Sequence, residues 1–461
     1  MSKFYITTPI YYVNDKPHLG HAYTTLCADV LARWHKLQGD EVFFLTGTDE
    51  HGAKVQQAAE EAGLTPQEFV DKTSQTFKDV WKKLGLSHDY FIRTSQSEHQ
   101  RIVQGLLQKI YEKGFIYAGE YEGLYCVGCE KFLKEDDLVN GVCPLHPKDK
   151  PERQKEKNYF FKLSAFREKL LKAISDDKYK IFPAERKNEI VGKLKKGLDD
   201  VSISRAGVSW GVPVPWDNSQ TVYVWIDALI NYYSVTQFID KAQGFWPAQV
   251  HLLGKDILWF HAVIWEAFLL AAELPLPKIV AVHGFFTVEG QKMSKSLGNV
   301  IDPADLIKEF GLDAARYLIL SQLSFAYDGD ISLARFRERY ESDLANGLGN
   351  TFSRVTNIAE KFCDGVVEKE DLETPFMDRP EEGVNAYIAT FQFDQSLRVI
   401  MDFVHSIDHI IEKTKPWENP VGRKSEINGL MRFSVSTLLK VAFYLKPFMP
   451  QTAKTIQKAL T

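Results

Sequence analysis

The sequence predicts an α/β fold: a parallel, helix-covered sheet that is split by an insertion and followed by an α-helical bundle. Three observations support this prediction. Segments of β and helical character alternate at the start of the chain, four metal-type ligands cluster between residues 114 and 219, and apolar residues recur at helical spacing after Ile301. The alternation is the order of elements that a parallel sheet with covering helices requires.

The composition of the 461 residues is that of a globular protein. At roughly 100–200 residues per domain, this length predicts two to four domains. Hydrophobic residues make up 44% and charged residues 25%, which excludes a disordered or collagen-like chain. The 56 Lys and Arg against 61 Asp and Glu leave a net charge of -5, which is no global sign of nucleic-acid binding but is compatible with a local basic face.

No targeting or membrane segment is recognisable. The N-terminus lacks a charged region followed by an apolar one, and no run reaches about 18 apolar residues. The most apolar stretch, residues 257–272, contains Trp259, His261 and Glu266 and is typical of a buried helix. We therefore expect a soluble, cytoplasmic protein that does not contact membranes.

The N-terminal elements follow from residue type and capping signals. Thr65, Pro66 and Glu68 form a capping box with proline at the first helical position, which predicts a helix from there to about Leu84. Before it we expect strand, helix, strand and helix, in that order, over residues 4–8, 21–37, 41–45 and 49–62.

The rest of the chain contains two further regions of different sequence pattern, an insertion and a helical region, with more of the sheet between them. Residues 114–219 hold short β-rich runs and a charged stretch, which indicates an insertion. The alternation resumes with β-rich runs at 222–225, 251–253 and 278–283, so the sheet continues after it. Asp302 is predicted to cap a helix. Beyond it, the predicted bundle helices cover residues 344–362, 383–413 and 425–444, and an acidic connection covers 364–382.

The first motif that carries chemistry is His18-Leu19-Gly20-His21, between a β-rich segment and a helix. Helix N-termini bind phosphate through exposed N–H groups and the helix dipole, and glycine lets a nucleotide approach the backbone. Imidazoles add donors to phosphate oxygens. The motif therefore indicates a phosphate site, while two ordinary surface histidines at a helix start are the alternative.

The second motif is Lys292-Met293-Ser294-Lys295-Ser296. Two lysines on flexible stems, with two hydroxyls, can follow the charge that develops on a leaving pyrophosphate. A solvated basic loop is the alternative for this segment alone. The order and separation of the two motifs together favour a nucleotide triphosphate site.

The third motif has the spacing of a zinc site. Cys126 and Cys129 form one C-x2-C knuckle, and Cys143 and His146 form a C-x2-H knuckle thirteen residues further on. Three thiolates and one imidazole fit tetrahedral Zn²⁺. Because all four positions are filled by protein, we expect a structural metal that helps a small insertion to fold. Accidental clustering is the alternative.

These motifs resemble those of the class I aminoacyl-tRNA synthetases, and the resemblance, closest to the methionyl family, runs along the whole chain. Further matching segments are Thr8-Pro9-Ile10-Tyr11-Tyr12-Val13-Asn14, Thr46-Gly47-Thr48-Asp49-Glu50-His51-Gly52, Val224-Trp225-Ile226-Asp227-Ala228-Leu229 and Gly254-Lys255-Asp256-Ile257. The resemblance implies a split Rossmann-like sheet. It also implies that ATP and L-methionine form methionyl-adenylate, and that the methionyl group is then transferred to the 3′ end of tRNA(Met) for translation initiation and elongation.

The resemblance also assigns the predicted domains. It implies a catalytic Rossmann-like domain formed by residues 1–113 and 220–297, and a connective insertion with the zinc knuckle over 114–219. Residues 298–345 would form a stem-contact region after the lysine loop, and 346–461 a helical anticodon-binding domain. Because the chain ends at Thr461, without the C-terminal β-barrel through which many relatives dimerise, we expect a monomer.

The resemblance implies a set of ligand-binding residues. Catalysis falls to His18, His21, Lys292 and Lys295, with Mg²⁺ bridging the phosphates, and Asp49 holds the α-amino group of methionine. The implied ATP-binding residues are His18, Gly20, His21, Gly254, Asp256, Lys292, Ser294 and Lys295. The implied methionine-binding residues are Ile10, Tyr12, Asp49, Trp225, Ala228, Leu229, Tyr232, Ile257, Phe260, His261 and Trp265. Aromatic residues of an ordinary core, and a helix-capping role for Asp256, are the alternatives.

Three residues of the last domain match the anticodon readers of the family: Asn350, Arg354 and Trp417. Asn and Arg can bond base edges and Trp can stack on a base, which is how single-stranded RNA is recognised in sequence-specific complexes. A helix-surface polar pair and a packed tryptophan are the alternatives.

Other functions are compatible with some of the same residues. The isoleucyl, valyl, leucyl and cysteinyl enzymes are related, but the insertion of roughly 105 residues is short for an editing domain, and the Cys cluster lies far from the nucleotide motifs. A non-catalytic RNA-binding relative would predict decayed phosphate motifs, whereas both are intact. A nucleotidyl transferase with the same histidine motif would need neither the helical bundle nor the zinc knuckle.

Overall fold

The computed structural model describes residues 2–13, 16–126, 131–133, 138–144, 150–292, 300–367 and 383–461. Four predicted site residues, Cys129, His146, Ser294 and Lys295, lie outside the described residues. Of Lys292, the backbone is described and the side chain is not.

The strands are given in chain order for the described residues. They are β1 (Lys3–Tyr12), β2 (Glu41–Asp49), β3 (Tyr90–Arg93), β4 (Ile116–Cys126), β5 (Lys131–Leu133), β6 (Glu152–Phe161), β7 (Lys180–Phe182), β8 (Val201–Ser202), β9 (Ser204–Arg205), β10 (Pro213–Val214), β11 (Asp217–Val222), β12 (Val250–Gly254), β13 (Ile279–His283), β14 (Phe286–Val288), β15 (Gln291–Lys292) and β16 (Gly329–Ile331).

The α-helices are given in the same way, and two π-helical segments, Phe260–Trp265 and Tyr340–Gly349, precede α8 and α12. They are α1 (Leu19–Leu37), α2 (Ala53–Glu61), α3 (Pro66–Lys83), α4 (Ser97–Glu112), α5 (Arg167–Ser175), α6 (Ala184–Lys196), α7 (Val224–Phe238), α8 (Glu266–Ala272), α9 (Pro303–Phe310), α10 (Leu312–Ser321), α11 (Leu333–Arg339), α12 (Asn350–Cys363), α13 (Val384–Ala389), α14 (Phe393–Thr414), α15 (Lys424–Leu445) and α16 (Pro450–Leu460).

A six-stranded sheet forms the centre of the molecule, in the order β3-β2-β1-β12-β13-β7, and every neighbouring pair is parallel. Every residue of β2 after Glu41 is buried, as expected for a parallel sheet with both faces covered. The predicted α/β class with a parallel sheet is therefore confirmed. The capping box at Thr65 is also present, with its side chain accepting from the backbone N–H of Glu68.

Some elements differ from the sequence prediction. Strand β7 joins the edge of the central sheet although it lies inside residues 114–219. The sequence analysis did not predict this strand, because its three residues are too few to show a β pattern. Residues 222–225 do not continue the sheet: α7 begins at Val224, directly after the antiparallel strand β11. The helix expected over 49–62 is shorter, since β2 runs to Asp49 and Gly52, at φ 106, precedes α2.

The insertion carries two small sheets of its own. Strands β4 and β6 form a long antiparallel ribbon, flanked by β5 and β8, and β9, β10 and β11 form a second sheet. At the far end of the ribbon, Cys126, Leu133 and Cys143 are buried against one another in a separate cluster. This cluster is too small to be a self-sufficient hydrophobic core.

The C-terminal region is helical, as predicted. Helices α12, α14 and α15 pack together, and α13 is separated from α14 by Phe391, at φ 60. Over the chain ranges for which a structure is given, no helix combines the length and apolar composition needed to cross a bilayer.

One buried arginine joins the helical region to the sheet domain. The Arg316 guanidinium in α10 is fully buried and donates to the Asp29 carboxylate of α1, at 2.7 Å. It also donates to the carbonyl oxygens of Leu84, Pro447 and Phe448, at 3.0, 2.8 and 2.7 Å. A single side chain therefore bonds the ends of α3 and α15 to the helix that begins at the histidine motif.

Candidate active site

The predicted ligand-binding residues meet at the carboxyl-end edge of the central sheet. Tyr12 at the end of β1 is paired with Asp49 at the end of β2, and Gly254 at the end of β12 is paired with His283 of β13. Ligands of open parallel sheets bind outside this edge. The topology therefore collects residues that are distant in the sequence.

The histidine motif caps α1 with its own side chains. His18 is the N-cap, and its Nδ1 accepts from the backbone N–H of Gly20 at 3.0 Å. Nδ1 of His21 accepts from the backbone N–H of His18 at 3.2 Å, and the two rings stack at 3.8 Å. Because both Nδ1 atoms are acceptors, the proton of each neutral ring resides on Nε2, where it can be donated to a phosphate oxygen.

Two further features favour this arrangement. Burial, and then the neighbouring His18, hold the pKa of His21 well below its usual range, so its imidazole is neutral. A Cβ atom on Gly20 would lie 2.9 Å from Cε1 of His18, so the stacked pair needs glycine at this position. The structure thus brings His18, Gly20 and His21 together in one turn at the start of α1, and helix N-termini of this kind can bind anions.

The turn after β12 lies at the same edge and carries two of the predicted ATP-binding residues, Gly254 and Asp256. A Cβ atom on Gly254 would lie 2.8 Å from Oδ1 of Asp256, which is exposed on the following turn. His283 donates from Nδ1 to the carbonyl oxygen of Gly284 and accepts at Nε2 from the hydroxyl of Thr24, both at 2.7 Å. Burial lowers the pKa of His283 to about 4, so it is a neutral link between α1 and β13 that the sequence analysis missed.

A cluster of packed aromatic and apolar side chains, the predicted methionine pocket, lies beside this edge. The rings of Trp225 in α7 and Phe260 stack at 4.0 Å and 11°. Phe260 opens the π-helical segment, a widened turn that is frequent at functional sites. The predicted pocket residues on these elements are buried or half-buried: Trp225, Ala228, Leu229, Tyr232, Ile257, Phe260, His261 and Trp265.

The floor of the pocket is made of hydrogen-bonded rings. His261 donates from Nδ1 to the carbonyl oxygen of Ile257 at 2.9 Å, so its Nε2 accepts from the Tyr232 hydroxyl at 2.8 Å. Burial lowers the pKa of His261 to about 4. The pocket thus presents a neutral, apolar and polarisable surface, which suits a thioether side chain.

A second histidine, His251, supports this floor and was missed by sequence analysis. Its Nε2 accepts from the indole N–H of Trp265 at 3.3 Å, and its Nδ1 donates to the Thr7 hydroxyl at 2.7 Å. Its ring lies 4.3 Å from that of Tyr232. A single histidine in the buried strand β12 has no sequence signal that separates it from core, so only its partners reveal the role.

Asp49 provides the buried charge of the pocket. It is 7% exposed and lies at the end of β2, beside β1 residues Ile10 and Tyr12. Burial raises the pKa of Tyr232, and the nearby Tyr11 and then Asp49 add smaller contributions in the same direction. A buried carboxylate next to an apolar slot can pair with an ammonium group.

The metal and anticodon candidates lie elsewhere. Cys126 and Cys143 are brought together in the buried cluster of the insertion. No group of three or more metal-type side chains is found among the described residues, since Cys129 and His146 are outside them. Two observations therefore support a zinc site. The four predicted ligands are three thiolates and one imidazole, which suit Zn²⁺, and two of them, Cys126 and Cys143, lie together in the structure.

The anticodon candidates lie on the helical region. Asn350 begins α12 and is exposed, and Trp417 is 49% exposed beyond the end of α14. Arg354 is paired with Asp408 at 3.0 Å and with Glu412 at 2.5 Å. The indole of Trp417 thus has the exposed face that base stacking needs.

Comparison with known proteins agrees with this architecture. The family model described as tRNA synthetases class I (M) matches residues 4–150 and 145–356. The chain belongs to this family of class I tRNA synthetases.

Individual relatives narrow the class. A methionine–tRNA ligase of Caldanaerobacter subterraneus subsp. tengcongensis is 44% identical, covering 99% of this chain and 74% of the relative. One from Streptomyces coelicolor is 41% identical, covering 99% and 89%. The solved Mycobacterium tuberculosis methionyl-tRNA synthetase in complex with methionyl-adenylate has a TM-score of 0.93 at 34% identity, covering 99% of this chain and 93% of that chain. Within its class, the chain is thus placed among the methionine–tRNA ligases, and the resemblance found in the sequence is confirmed.

Proposed function

We propose that this chain activates L-methionine with ATP to methionyl-adenylate and transfers the methionyl group to the 3′ end of tRNA(Met), for initiation and elongation of translation. The observation that carries the proposal is a juxtaposition. The self-capped histidine motif of α1 and the aromatic pocket with buried Asp49 lie at the same edge of the central sheet.

The first step needs no general base. A carboxylate oxygen of methionine attacks the α-phosphorus of ATP, and the bond to the leaving pyrophosphate breaks. Positioning and charge stabilisation then supply catalysis. His18 and His21 donate from Nε2 to phosphate oxygens, and Lys292 and Lys295 hold the pyrophosphate. Mg²⁺ bound with ATP neutralises phosphate charge.

The remaining ATP contacts come from the start of α1, the turn after β12 and the lysine motif. Gly20 and Gly254 allow close approach of the nucleotide, Asp256 binds the ribose hydroxyls, and Ser294 accompanies the lysines. In the second step a terminal ribose hydroxyl of the tRNA attacks the carbonyl carbon of the adenylate, and AMP leaves. The ester bond replaces the mixed anhydride.

Methionine is selected by charge at one end and by shape at the other. Asp49 holds the ammonium group, and Ile10 and Tyr12 border it. The side chain lies against the stacked Trp225 and Phe260 and the Tyr232–His261 pair. Ala228, Leu229, Ile257 and Trp265 complete the slot. Because the pocket rings are neutral, a charged side chain of similar length would be rejected.

The assignment of regions follows from these roles. We propose that residues 1–113 and 220–297 catalyse activation, with β7 added to their sheet from the insertion at 114–219. Residues 298–345 contact the tRNA stem, and 346–461 read the anticodon through Asn350, Arg354 and Trp417. The zinc knuckle, Cys126, Cys129, Cys143 and His146, holds structural Zn²⁺ in the insertion. We further predict that the protein works in the cytoplasm, where tRNA is charged for translation, and that it is a monomer.

ATP–pyrophosphate exchange with each standard amino acid in turn tests the activation step. We expect exchange with methionine alone. Exchange with another amino acid would retain the chemistry but overturn the pocket assignment. Absence of exchange with every amino acid, from folded protein containing zinc, would favour an RNA-binding role without catalysis.

The anticodon assignment predicts a separation of the two steps. Trp417→Ala should reduce kcat/KM for tRNA charging by about 10- to 100-fold, since stacking contributes about 1–3 kcal/mol per base. Methionine-dependent exchange should be unchanged, because Trp417 follows the end of α14 in the helical region and belongs to none of the elements that carry the proposed site. Val421→Ala, at a neighbouring residue that is 92% exposed, is the matched control and should leave both steps unchanged. Equal losses in charging for the two variants would contradict the role of Trp417.

A further inference from the structure

A buried cluster of three titratable side chains lies behind the pocket, and the proposed chemistry does not use it. The Asp227 carboxylate accepts from His51 Nδ1 at 2.7 Å through one oxygen, and from His99 Nε2 at 2.9 Å through the other. Asp227, His51 and His99 are 1%, 2% and 0% exposed. We call these three residues the His–Asp–His cluster.

The cluster ties together three elements that are remote in the sequence. His51 follows the end of β2, Asp227 lies in the first turns of α7, and His99 lies in α4. His99 is itself fixed by a second contact with α7, a hydrogen bond of 2.7 Å between its Nδ1 and the Ser234 hydroxyl. The loop after β2 is thus bonded to α7, and α7 is bonded in turn to α4.

The chemistry of the contacts favours a rigid arrangement. Burial by itself raises the pKa of the Asp227 carboxyl, but the two imidazoles outweigh this and lower it to about 2. Asp227 is therefore an ionised acceptor with both oxygens occupied. Such charge-assisted bonds are short and roughly twice as strong as neutral ones, and they define the spacing of the groups that they join.

The residue between Asp49 and His51 is held equally firmly. The buried Glu50 carboxylate accepts from Thr48 and Arg93, both at 2.7 Å. Its backbone N–H donates to the Thr94 hydroxyl at 2.9 Å, and its carbonyl oxygen accepts from the Trp210 indole at 2.6 Å. The chain following Asp49 therefore has little freedom to shift.

Asp227 also lies next to predicted pocket residues on its helix, α7. It lies between Trp225 and Ala228, which border the proposed methionine pocket, so its bond to His51 fixes the distance between that helix and the end of β2, where Asp49 lies. Ammonium recognition depends on this distance, because the carboxylate and the apolar slot must engage one ligand together. A misplacement of about 1 Å is enough to cost a large factor in an oriented site.

We propose that the His–Asp–His cluster positions Asp49 against α7, so that His51, Asp227 and His99 set the affinity for the α-ammonium group of methionine. The inference rests on the proposed function, and it makes these three residues positioning residues that do not touch the substrate. It extends the recognition of methionine to a layer of side chains behind the pocket wall.

The test compares His51→Ala with His51→Asn in ATP–pyrophosphate exchange. The amide N–H of asparagine can take the place of Nδ1–H and donate to Asp227. We expect His51→Ala to raise KM for methionine about tenfold with KM for ATP within twofold, as a local loss of orientation predicts. His51→Asn should restore most of this affinity. Asp313→Asn, at a buried carboxylate of α10 that accepts from the backbone N–H of Thr452, is the matched control and should leave both KM values unchanged.

A methionine analogue without the amino group separates positioning from general damage. Inhibition by 4-(methylthio)butanoate should be equal for wild type and His51→Ala, because this acid has no ammonium group for Asp49 to hold. Loss of analogue binding in parallel with methionine, an equal rise in KM for ATP, or no rescue by asparagine would each overturn the proposal. If wild type shows no exchange with methionine, the proposed function fails instead.

A second pair of variants covers the case in which His51→Ala does not fold. His99→Gln keeps an N–H donor near the position of Nε2, whereas His99→Leu removes it while retaining bulk. We expect the leucine variant to raise KM for methionine and the glutamine variant to remain near wild type. Equal KM values for the two would contradict the positioning role.

Discussion

Replacing His21 by asparagine is expected to lower kcat for methionine-dependent exchange by about 10²- to 10³-fold, the usual cost of removing one preorganised donor to developing charge. The asparagine amide oxygen can still accept the backbone N–H of His18, so the capping of α1 is retained. What is lost is the Nε2 donor to which we assign the contact with the phosphates. KM for methionine should stay within about twofold, because the ammonium site is separate.

The matched variant is His21→Gln, whose longer side chain can bring an amide N–H toward the position of Nε2. We expect it to recover part of the lost rate. Thermal unfolding of both variants should be close to wild type. If both lose activity together with stability, His21 acts as a structural cap alone, and the phosphate role is wrong.

The second large effect concerns folding. Arg316→Met should lower the free energy of unfolding by about 3–5 kcal/mol, the range for removing one partner of a buried ion pair. The reason is that Asp29 would lose a charge partner at 2.7 Å, while the carbonyl oxygens of Pro447 and Phe448 would lose a donor. The loss of stability can be measured by urea unfolding monitored by tryptophan fluorescence, where the first transition should move to a lower urea concentration.

Arg33→Met is the control, because Arg33 also pairs with Asp29 at 2.7 Å but is 24% exposed. Its loss should cost clearly less than that of Arg316, because its guanidinium is partly exposed and Asp29 keeps Arg316 as a buried partner. Similar shifts for Arg33→Met and Arg316→Met would contradict the central role of Arg316.

The same pair predicts a dependence of stability on pH. Burial raises the pKa of Asp29, but the charges of Arg316 and Arg33 outweigh it and hold this pKa below its usual range. The unfolded value is about 3.9. The contribution of the pair is therefore present above that pH and is lost as the pH falls through the lower, folded pKa. Arg316→Met should reduce this acid-side loss.

The sequence carried the fold class and the motifs because both are local patterns. The alternation of strands and helices, the capping box at Thr65 and the position of the histidine motif each depend on neighbouring residues. The mutual capping of His18 and His21 did not emerge, because the orientation of an imidazole at a helix start depends on its rotamer. Nor did strand β7, since three residues carry too little pattern.

The residues that support the site were missed for a different reason. Asp227 lies in an apolar helix, and its partners His51 and His99 are 176 and 128 residues away. His251 and His283 lie at buried positions of strands that look like core. Their roles depend on contacts that form only when the sheet is assembled, so no spacing of neighbouring residues in the sequence could predict them.

The strand order of the central sheet has a consequence for synthesis on the ribosome. Strand β1 is made first, but its neighbour β12 begins at Val250, more than halfway along the 461 residues. Until then, the nascent chain can pair β1 with β2 while its other edge presents unpaired backbone groups, which are prone to intermolecular pairing. The intervening insertion lengthens that interval. The β1 edge is therefore where we expect a holding chaperone to be needed during translation, and a slower ribosome should increase aggregation of this protein.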